Sequence, residues 1–294
     1  MSKLYILQGP TASGKTHASI LLAQHLNSEI ISADSRQFYI EMNIGTAKPT
    51  FNEISSVKHH FISSYSITNP INVAQFEYEA RQIIESQFEL NKDVVVVGGS
   101  AQFIDALTHG LDHVPHFSEI HQKLNEDYSI HGITFLQNQL MKWDSEAYSR
   151  IDLSNSRRVI RALEVKIGSG KSILNYQTNN QKPLYNIERF TIGWRREDLY
   201  TRINQRVDEM IDAGLENEVK KLYDLNNSIV MNTVGYKEWI PFFQGLSSKK
   251  DVIEKIKQHT RNYAKRQITC MNQYQDLKII DPYKKDSILE QMLK

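Results

Sequence analysis

"GPTASGKT" occupies residues 9–16, directly behind the apolar stretch Leu4, Tyr5, Ile6 and Leu7. Residue by residue it is Gly9, Pro10, Thr11, Ala12, Ser13, Gly14, Lys15 and Thr16. Glycine, four residues, then Gly-Lys-Thr is the pattern of a loop that wraps phosphate groups. Its glycines let backbone N–H groups turn toward an anion at a helix N-terminus. A helical apolar spacing follows at Ala18, Leu21, Leu22 and Leu26, so the loop is expected between a strand and a helix. Lys15 adds a point charge, and the Thr16 hydroxyl is suited to Mg²⁺. The alternative is a glycine-rich turn that holds nothing. The loop alone does not say whose phosphates it takes.

Working outward, "EIISAD" (29–34) reads as a β-branched strand ending at Asp34, and "HHFISSY" (59–65) as another strand. Val73, Phe76, Ala80, Ile83, Ile84 and Phe88 mark a helix between that segment and "VVVVGGS" (94–100), a buried parallel strand with a glycine exit. This alternation predicts an α/β core, a parallel sheet flanked by helices. Ligands of such sheets sit outside the carboxyl ends of the strands, where the loop, Asp34 and Ser100 all fall. From residue 117 to 182 the strand signals stop, and Gly132, Gly168 and the polar run 177–182 punctuate helical patterns. The expected plan is a core of 1–116 and 183–294 with a helical insertion at 117–182, unless those helices simply pack on the sheet. "FTIGW" (190–194) resumes as a strand, and the remainder reads as mostly helical.

Composition narrows the class. The 294 residues, 40% of them hydrophobic, allow one or two domains with a full core. An apolar run such as Val94–Val97 is far too short to span a bilayer. No apolar leader segment precedes the loop, so secretion is not expected, and the single cysteine, Cys270, fits a reducing cytoplasm. One cysteine excludes an intramolecular disulfide and a two-cysteine zinc finger. The net charge of +1 means that a nucleic-acid partner has to be held by local patches.

Two patterns mislead. "GSGKS" (168–172) lacks the first glycine, since position 165 is Val165, and Gly168 is expected to cap the preceding helix. His59 and His60 are adjacent on an expected strand and point to opposite faces, so they cannot chelate together. The usual nucleotide readings are weakened too. The apolar strand ends in Gly98-Gly99-Ser100 instead of an Mg²⁺-holding Asp, and Asn91-Lys92-Asp93-Val94 lacks the spacing of a guanine reader. A small-molecule kinase using ATP survives these objections.

Eight motifs in order carry a resemblance that covers nearly the whole chain. They are "GPTASGKT" (9–16), "SADSRQFY" (32–39), "NIGTAKP" (43–49), "VVGGS" (96–100), "RRVIRALEV" (157–165), "LYTRINQRVDEMIDAGLENEV" (199–219), "TVGYKE" (233–238) and "YAKRQIT" (263–269). With them the chain resembles the bacterial tRNA dimethylallyltransferases, also called tRNA isopentenyltransferases. The resemblance implies a P-loop NTPase-like core whose loop holds the diphosphate of dimethylallyl diphosphate, not a nucleotide. It implies Mg²⁺ near Thr16 and transfer of the dimethylallyl group to N6 of the adenosine on the 3′ side of the tRNA anticodon, position 37. It also implies a cytoplasmic monomer that binds the tRNA anticodon stem-loop, with the helical insertion contacting that tRNA.

The resemblance places the proton acceptor at Asp34, whose residue-level alternatives are a helix N-cap or an Mg²⁺ ligand. Ser100, the second catalytic candidate, stands where the family usually has Thr, keeping a hydroxyl to hydrogen-bond the reacting centre and losing a methyl. Arg202 and Arg206, four apart on one helix face, are candidates for the diphosphate, and the sequence does not choose between them. The resemblance assigns tRNA contacts to Asp34, Ser35, Arg36 and Gln37, to Arg157, Arg158 and Arg161, to Gly235, Tyr236 and Lys237, and to Lys265, Arg266, Gln267 and Thr269. Residues 249–268 carry seven Lys or Arg against Asp251 and Glu254, a run that is either a phosphate-binding stripe or a solvated helix face. Arg36, Phe38 and "CMN" (270–272) depart from the family pattern. A catalytically silent tRNA binder is the remaining competitor, although Lys15 and Asp34 are both retained.

Overall fold

The computed structural model describes residues 2–177 and 182–294. The core begins with β1 (Leu4–Gln8), the phosphate loop and α1 (Lys15–Leu26), then β2 (Glu29–Ser32) and α2 (Phe51–Ser56). It continues through β3 (His59–His60), α3 (Val73–Glu89), β4 (Val94–Gly98) and α4 (Ala101–His109). Three helices follow, α5 (Ser118–Trp143), α6 (Ser145–Arg150) and α7 (Ser156–Ser169). The chain then returns with β5 (Ile187–Ile192), α8 (Arg196–Asp212), α9 (Leu215–Tyr223), α10 (Ser228–Met231) and α11 (Ile240–Phe243). It ends with α12 (Lys249–Met271), β6 (Leu277–Ile280) and α13 (Ile288–Leu293).

The six strands form one sheet in the order β3-β2-β4-β1-β5-β6, and every pairing is parallel. Parallel strands need helical crossovers, which cover both faces and explain why β1 up to Leu7 and β4 are runs of mostly apolar residues. Leu4, Ile6, Val94, Val95 and Val96 are fully buried. One face packs Phe38, Phe61, Phe76 and Phe103 into a ring cluster, with Phe38 and Phe76 stacked at 5.5 Å. The Phe38 departure therefore fills the core and stays out of the cleft. The other face packs Ala18, Leu22 and Ile30 against Phe190 and Ile192. Each such large side chain contributes about 1.5–3 kcal/mol when fully buried.

Register decides where the site lies. Gln8 pairs with Gly98 and Ser32 with Val97, so β1, β2 and β4 end level with one another. The Ala33 N–H donates to the Val97 carbonyl at 2.7 Å and holds the exit of β2 against β4.

Two expectations need correction, and one strand is added. The strand expected over 59–65 stops after two residues, because Phe61 (φ 63°) and Ser63 (φ 50°) adopt left-handed backbone that no ladder accommodates. Within the mostly helical C-terminal region, "LKII" pairs with β5 as an edge strand. The cap of α7 is Gly170, at φ 75°, whereas Gly168 lies inside the helix against the Phe117 ring.

The chain divides into two compact units, Met1–Gly110 with Pro183–Lys294, and Leu111–Lys182. The second packs Leu124, Leu136, Leu140, Ala147, Val159, Ile160 and Leu163 into its own core. Its helix α5 bends at Gly132, whose φ of 75° breaks the helical path. Within the polar run 177–182 read as punctuation, residues 178–181 lie outside the described residues. Among the described residues no helix is long and apolar enough to cross a membrane.

Candidate active site

The phosphate loop is clamped from outside. Gly9 N–H donates to the Gly98 carbonyl at 3.3 Å, Trp194 Nε1–H to the Ser13 carbonyl at 2.8 Å, and Arg202 Nε–H to the Ala12 carbonyl at 2.9 Å. Lys15 folds back to the Pro10 carbonyl at 2.6 Å. Gly14, at φ 90°, is the N-cap of α1 and offers no side chain, so the first-turn N–H groups keep their donor capacity for a ligand. The Ser13 hydroxyl is buried without a partner. An unsatisfied buried hydroxyl costs about 1–3 kcal/mol, and a phosphate oxygen would remove that cost.

A cavity of about 380 Å³ opens beside the loop, within the range of small-molecule sites, roughly 300–1,000 Å³. Thr11, Lys15, Thr16 and Arg206 line one end, and Gly235, Lys237, Tyr263 and Arg266 belong to the other walls. Asp34 to Gln37 run along it. Asp34 Oδ1 accepts the Arg36 N–H at 3.0 Å, which fixes the turn, while Oδ2 takes no protein hydrogen bond.

Burial lowers the Lys15 ammonium from its ordinary 10.5 to about 8, against the pull of the Asp34 carboxylate, and the nearby Arg206 lowers it further. Burial also lowers Arg206, again opposed by Asp34. Its Nη1 donates to Thr11 Oγ1 at 3.1 Å and its Nη2 to the Ala47 carbonyl at 3.3 Å. Arg202 differs: it is exposed, lies over the Trp194 ring at 4.4 Å, and lines only an adjoining opening along the outside of the loop.

The structure distributes the other expected residues unevenly. Ser100 is not on the cavity wall. Its Oγ accepts the Ser35 N–H at 3.2 Å and donates to Ser35 Oγ at 3.3 Å, so it braces the turn that carries Asp34. Gln37 donates to the Thr46 and Ala47 carbonyls. Gln267 faces inward. It accepts the Thr11 N–H at 3.0 Å, donates to the Gly99 carbonyl at 3.1 Å, and so joins the loop to the exit of β4. Tyr236 is a core residue, 1% exposed, with its hydroxyl on Glu218 at 2.7 Å. Gly235 and Lys237 line the cavity beside it.

Lys265 and Arg266 on α12 are exposed with no ion-pair partner among the described residues, and Thr269 is exposed on the next turn. Earlier on that helix three charges are answered: Lys249 pairs with Glu216, Lys257 with Asp208, and Arg261 bonds Asn204. In the helical unit Arg157 and Arg158 are exposed on the first turn of α7, and neither has an ion-pair partner among the described residues. Arg161 is engaged internally, with Glu164 and the Val114 carbonyl. Of the departures at 270–272, Cys270 is exposed, Met271 is buried, and Asn272 ends α12.

Two residues were not singled out from sequence. Glu218 accepts the N–H groups of Asn43, Ile44 and Gly45 together with the Tyr236 hydroxyl, anchoring the "NIGTAKP" loop. Four donors converging from distant segments leave no local signature. Tyr263 lines the cavity, its hydroxyl pushed up by burial and then by the Asp34 charge.

The fold and this cavity define a phosphate-loop α/β protein whose anion site shares its chamber with a carboxylate. More narrowly, the chain belongs to the IPP transferase family, whose model matches residues 37–274. It is 44% identical to a tRNA dimethylallyltransferase of Christiangramia forsetii over 92% of this chain and 90% of that one. It is 42% identical to a tRNA dimethylallyltransferase of Flavobacterium johnsoniae, over 96% and 94%. Among solved structures, a tRNA isopentenylpyrophosphate transferase of Bacillus halodurans aligns with a TM-score of 0.70 at 34% identity, over 96% of this chain and 90% of that one. A eukaryotic dimethylallyltransferase acting on tRNA aligns with a TM-score of 0.77 at 27% identity, over 96% and 74%.

Proposed function

We propose that this chain transfers the dimethylallyl group from dimethylallyl diphosphate to N6 of adenosine 37 in tRNA, releasing diphosphate. The observation that carries this reading is the shared cavity. Asp34, whose carboxylate bonds only the Arg36 N–H through Oδ1 among the described residues, lines the same chamber as Lys15, Thr16 and Arg206. A nucleophile that must lose a proton and a leaving group that gains charge are thereby served in one space.

The donor's diphosphate sits on the first-turn N–H groups of α1, with Lys15 and Arg206 across its oxygens. Arg206 is the better candidate of the two arginines, because it lines the cavity and Arg202 does not. The Thr16 hydroxyl faces this chamber and bonds no protein group among the described residues, which suits Mg²⁺ held through few protein oxygens and several waters. Mg²⁺ bound there would add Lewis-acid stabilisation of the leaving diphosphate.

The N6 lone pair attacks C1 of the dimethylallyl group, and the C1–O bond breaks with its electron pair passing to diphosphate. N6 gives up one proton to Asp34. Charge growing on the leaving oxygens meets donors that are already oriented, and preorganisation of this kind is usually the largest single catalytic contribution. A stacked adenine cannot enter such a cavity, so the base is flipped out, with Tyr263 and Arg266 at the wall it passes. Arg157, Arg158, Lys265 and Arg266 hold the phosphates of the anticodon stem-loop. We also propose a cytoplasmic monomer; a lone cysteine suits a reducing compartment.

The test is incubation with labelled dimethylallyl diphosphate, tRNA and Mg²⁺, followed by nucleoside analysis. The expected result is label on adenosine 37, competed by pyrophosphate and unaffected by ATP. Transfer from γ-labelled ATP to a small acceptor, with none from the prenyl donor, would overturn the reading.

A further inference from the structure

We propose that His116, His121 and Glu164 form a site for one divalent cation of the zinc class within the helical unit. His116 lies just before α5, His121 in that helix's opening turns, and Glu164 on α7. His116 Nδ1 stands 2.7 Å from Glu164 Oε1, and His121 Nδ1 stands 2.8 Å from Oε2. One ligand atom from each of the three residues falls within 4.8 Å of the other two.

The donor set points to the metal. Two imidazole nitrogens and one carboxylate oxygen suit zinc, cobalt or nickel, whereas magnesium and calcium take all-oxygen sets. A tetrahedral ion with bonds of about 2.0–2.2 Å keeps its ligand atoms roughly 3.3 Å apart. The rings therefore have to retreat by about half an ångström, by the same geometry. Both can, because the His116 and His121 side chains are 62% and 42% exposed.

Glu164 cannot move, and this also favours a site. Its side chain is wholly buried, and Oε1 accepts the Phe117 N–H at 2.9 Å and the Arg161 guanidinium. Oε2 takes nothing but His121. The carboxylate is thus positioned from behind, as outer-shell partners position metal ligands, with Oε2 facing His121 and Oε1 facing His116. Water would supply the fourth position. The nearby Arg161 charge holds the affinity below that of an all-protein structural zinc site.

The same geometry would arise if both imidazoles merely donated hydrogen bonds to Glu164. Glutamine separates the cases, since its amide still donates to Glu164 but does not ligate zinc. The full chain, His116→Gln, His121→Gln, the double variant, and His131→Ala as an exposed control are dialysed against Zn²⁺. They are also titrated with Co²⁺ under visible absorption. The expected result is one more equivalent of Zn²⁺ in the full chain and His131→Ala than in the double variant. Each single variant should bind more than about tenfold weaker. A four-coordinate Co²⁺ band should appear only where both histidines remain. Thermal melts without metal check that the glutamine variants are folded. Equal uptake in all proteins, or no Co²⁺ band in the full chain, would overturn the site and leave the transfer reaction untouched.

Discussion

The cations at the phosphate loop and those along α7 and α12 carry the same charge in opposite surroundings. Lys15 and Arg206 line the cavity, where burial lowers both and each is tied to loop oxygens. Arg157, Arg158 and Lys265 stand in solvent without a carboxylate partner among the described residues, while Arg266, also exposed, borders the cavity. A desolvated cation acts at short range, is sensitive to pH, and is little screened by salt. An exposed one acts at long range and fades with ionic strength. The difference assigns the work: the enclosed set holds a small anion in place, and the outer set gathers a polyanion.

The largest expected effect comes from the one acid in the enclosed set. Asp34→Asn keeps its size and an acceptor oxygen but cannot take up the N6 proton. Single-turnover transfer should fall by about 10²–10⁴-fold with donor and tRNA binding nearly unchanged. If donor affinity collapsed instead and added Mg²⁺ partly restored the rate, Asp34 would be a metal ligand.

The next effect sharpens the enclosed set through pH. Free Lys15 begins to lose its proton near pH 8, well below its ordinary 10.5, while a bound diphosphate favours the charged form. Donor binding therefore takes up a proton above pH 8. Affinity for a non-transferable thio analogue of the donor should fall there, by at most about tenfold per pH unit. Below pH 8 Lys15 contributes no such slope. In Lys15→Met binding should be weak at every pH and the fall absent, and a fall that persisted would move the titration to another group.

Smaller changes are expected in the outer set. Arg158→Gln and Lys265→Gln should each flatten the log–log salt dependence of tRNA binding by about 0.7–0.9. Lys257→Gln should leave the slope unchanged, because that charge is already answered by Asp208. A slope altered by all three equally would mean that pairing within α12 does not select its phosphate contacts.

How much of this could be read from sequence follows the same division. The loop, β1, β2 and β4 were legible because parallel strands buried on both faces are written largely as apolar runs. β5, read over 190–194, instead runs over Ile187–Ile192, because Glu188 and Arg189 hide its opening. β3 was overextended, since nothing in "HHFISSY" announces left-handed backbone at Phe61 and Ser63. β6 was missed because a four-residue edge strand containing Lys278 and an exposed Ile279 lacks a buried pattern. Motifs brought Asp34 and Arg206 to the cavity but did not say which way a side chain turns. Gln267 borders the cavity but spends its amide on Thr11 and Gly99, Tyr236 turns into the core, and Ser100 stands behind Ser35. Those orientations come from partners outside the local motif or from packing, as the span between Thr11 and Gln267 illustrates.

The division between enclosed and outer cations is tested most directly by Arg206→Gln and Arg157→Gln side by side, each assayed for equilibrium binding of the donor analogue and of tRNA. Arg206→Gln should weaken the donor analogue by about tenfold or more, the scale of one hydrogen bond to a charged group, and leave the salt slope for tRNA intact. Arg157→Gln should leave the donor analogue unaffected and flatten the tRNA slope by about 0.7–0.9. If both variants lost donor and tRNA binding to the same extent, the two sets of cations would be one, and the assignment of separate roles would be wrong.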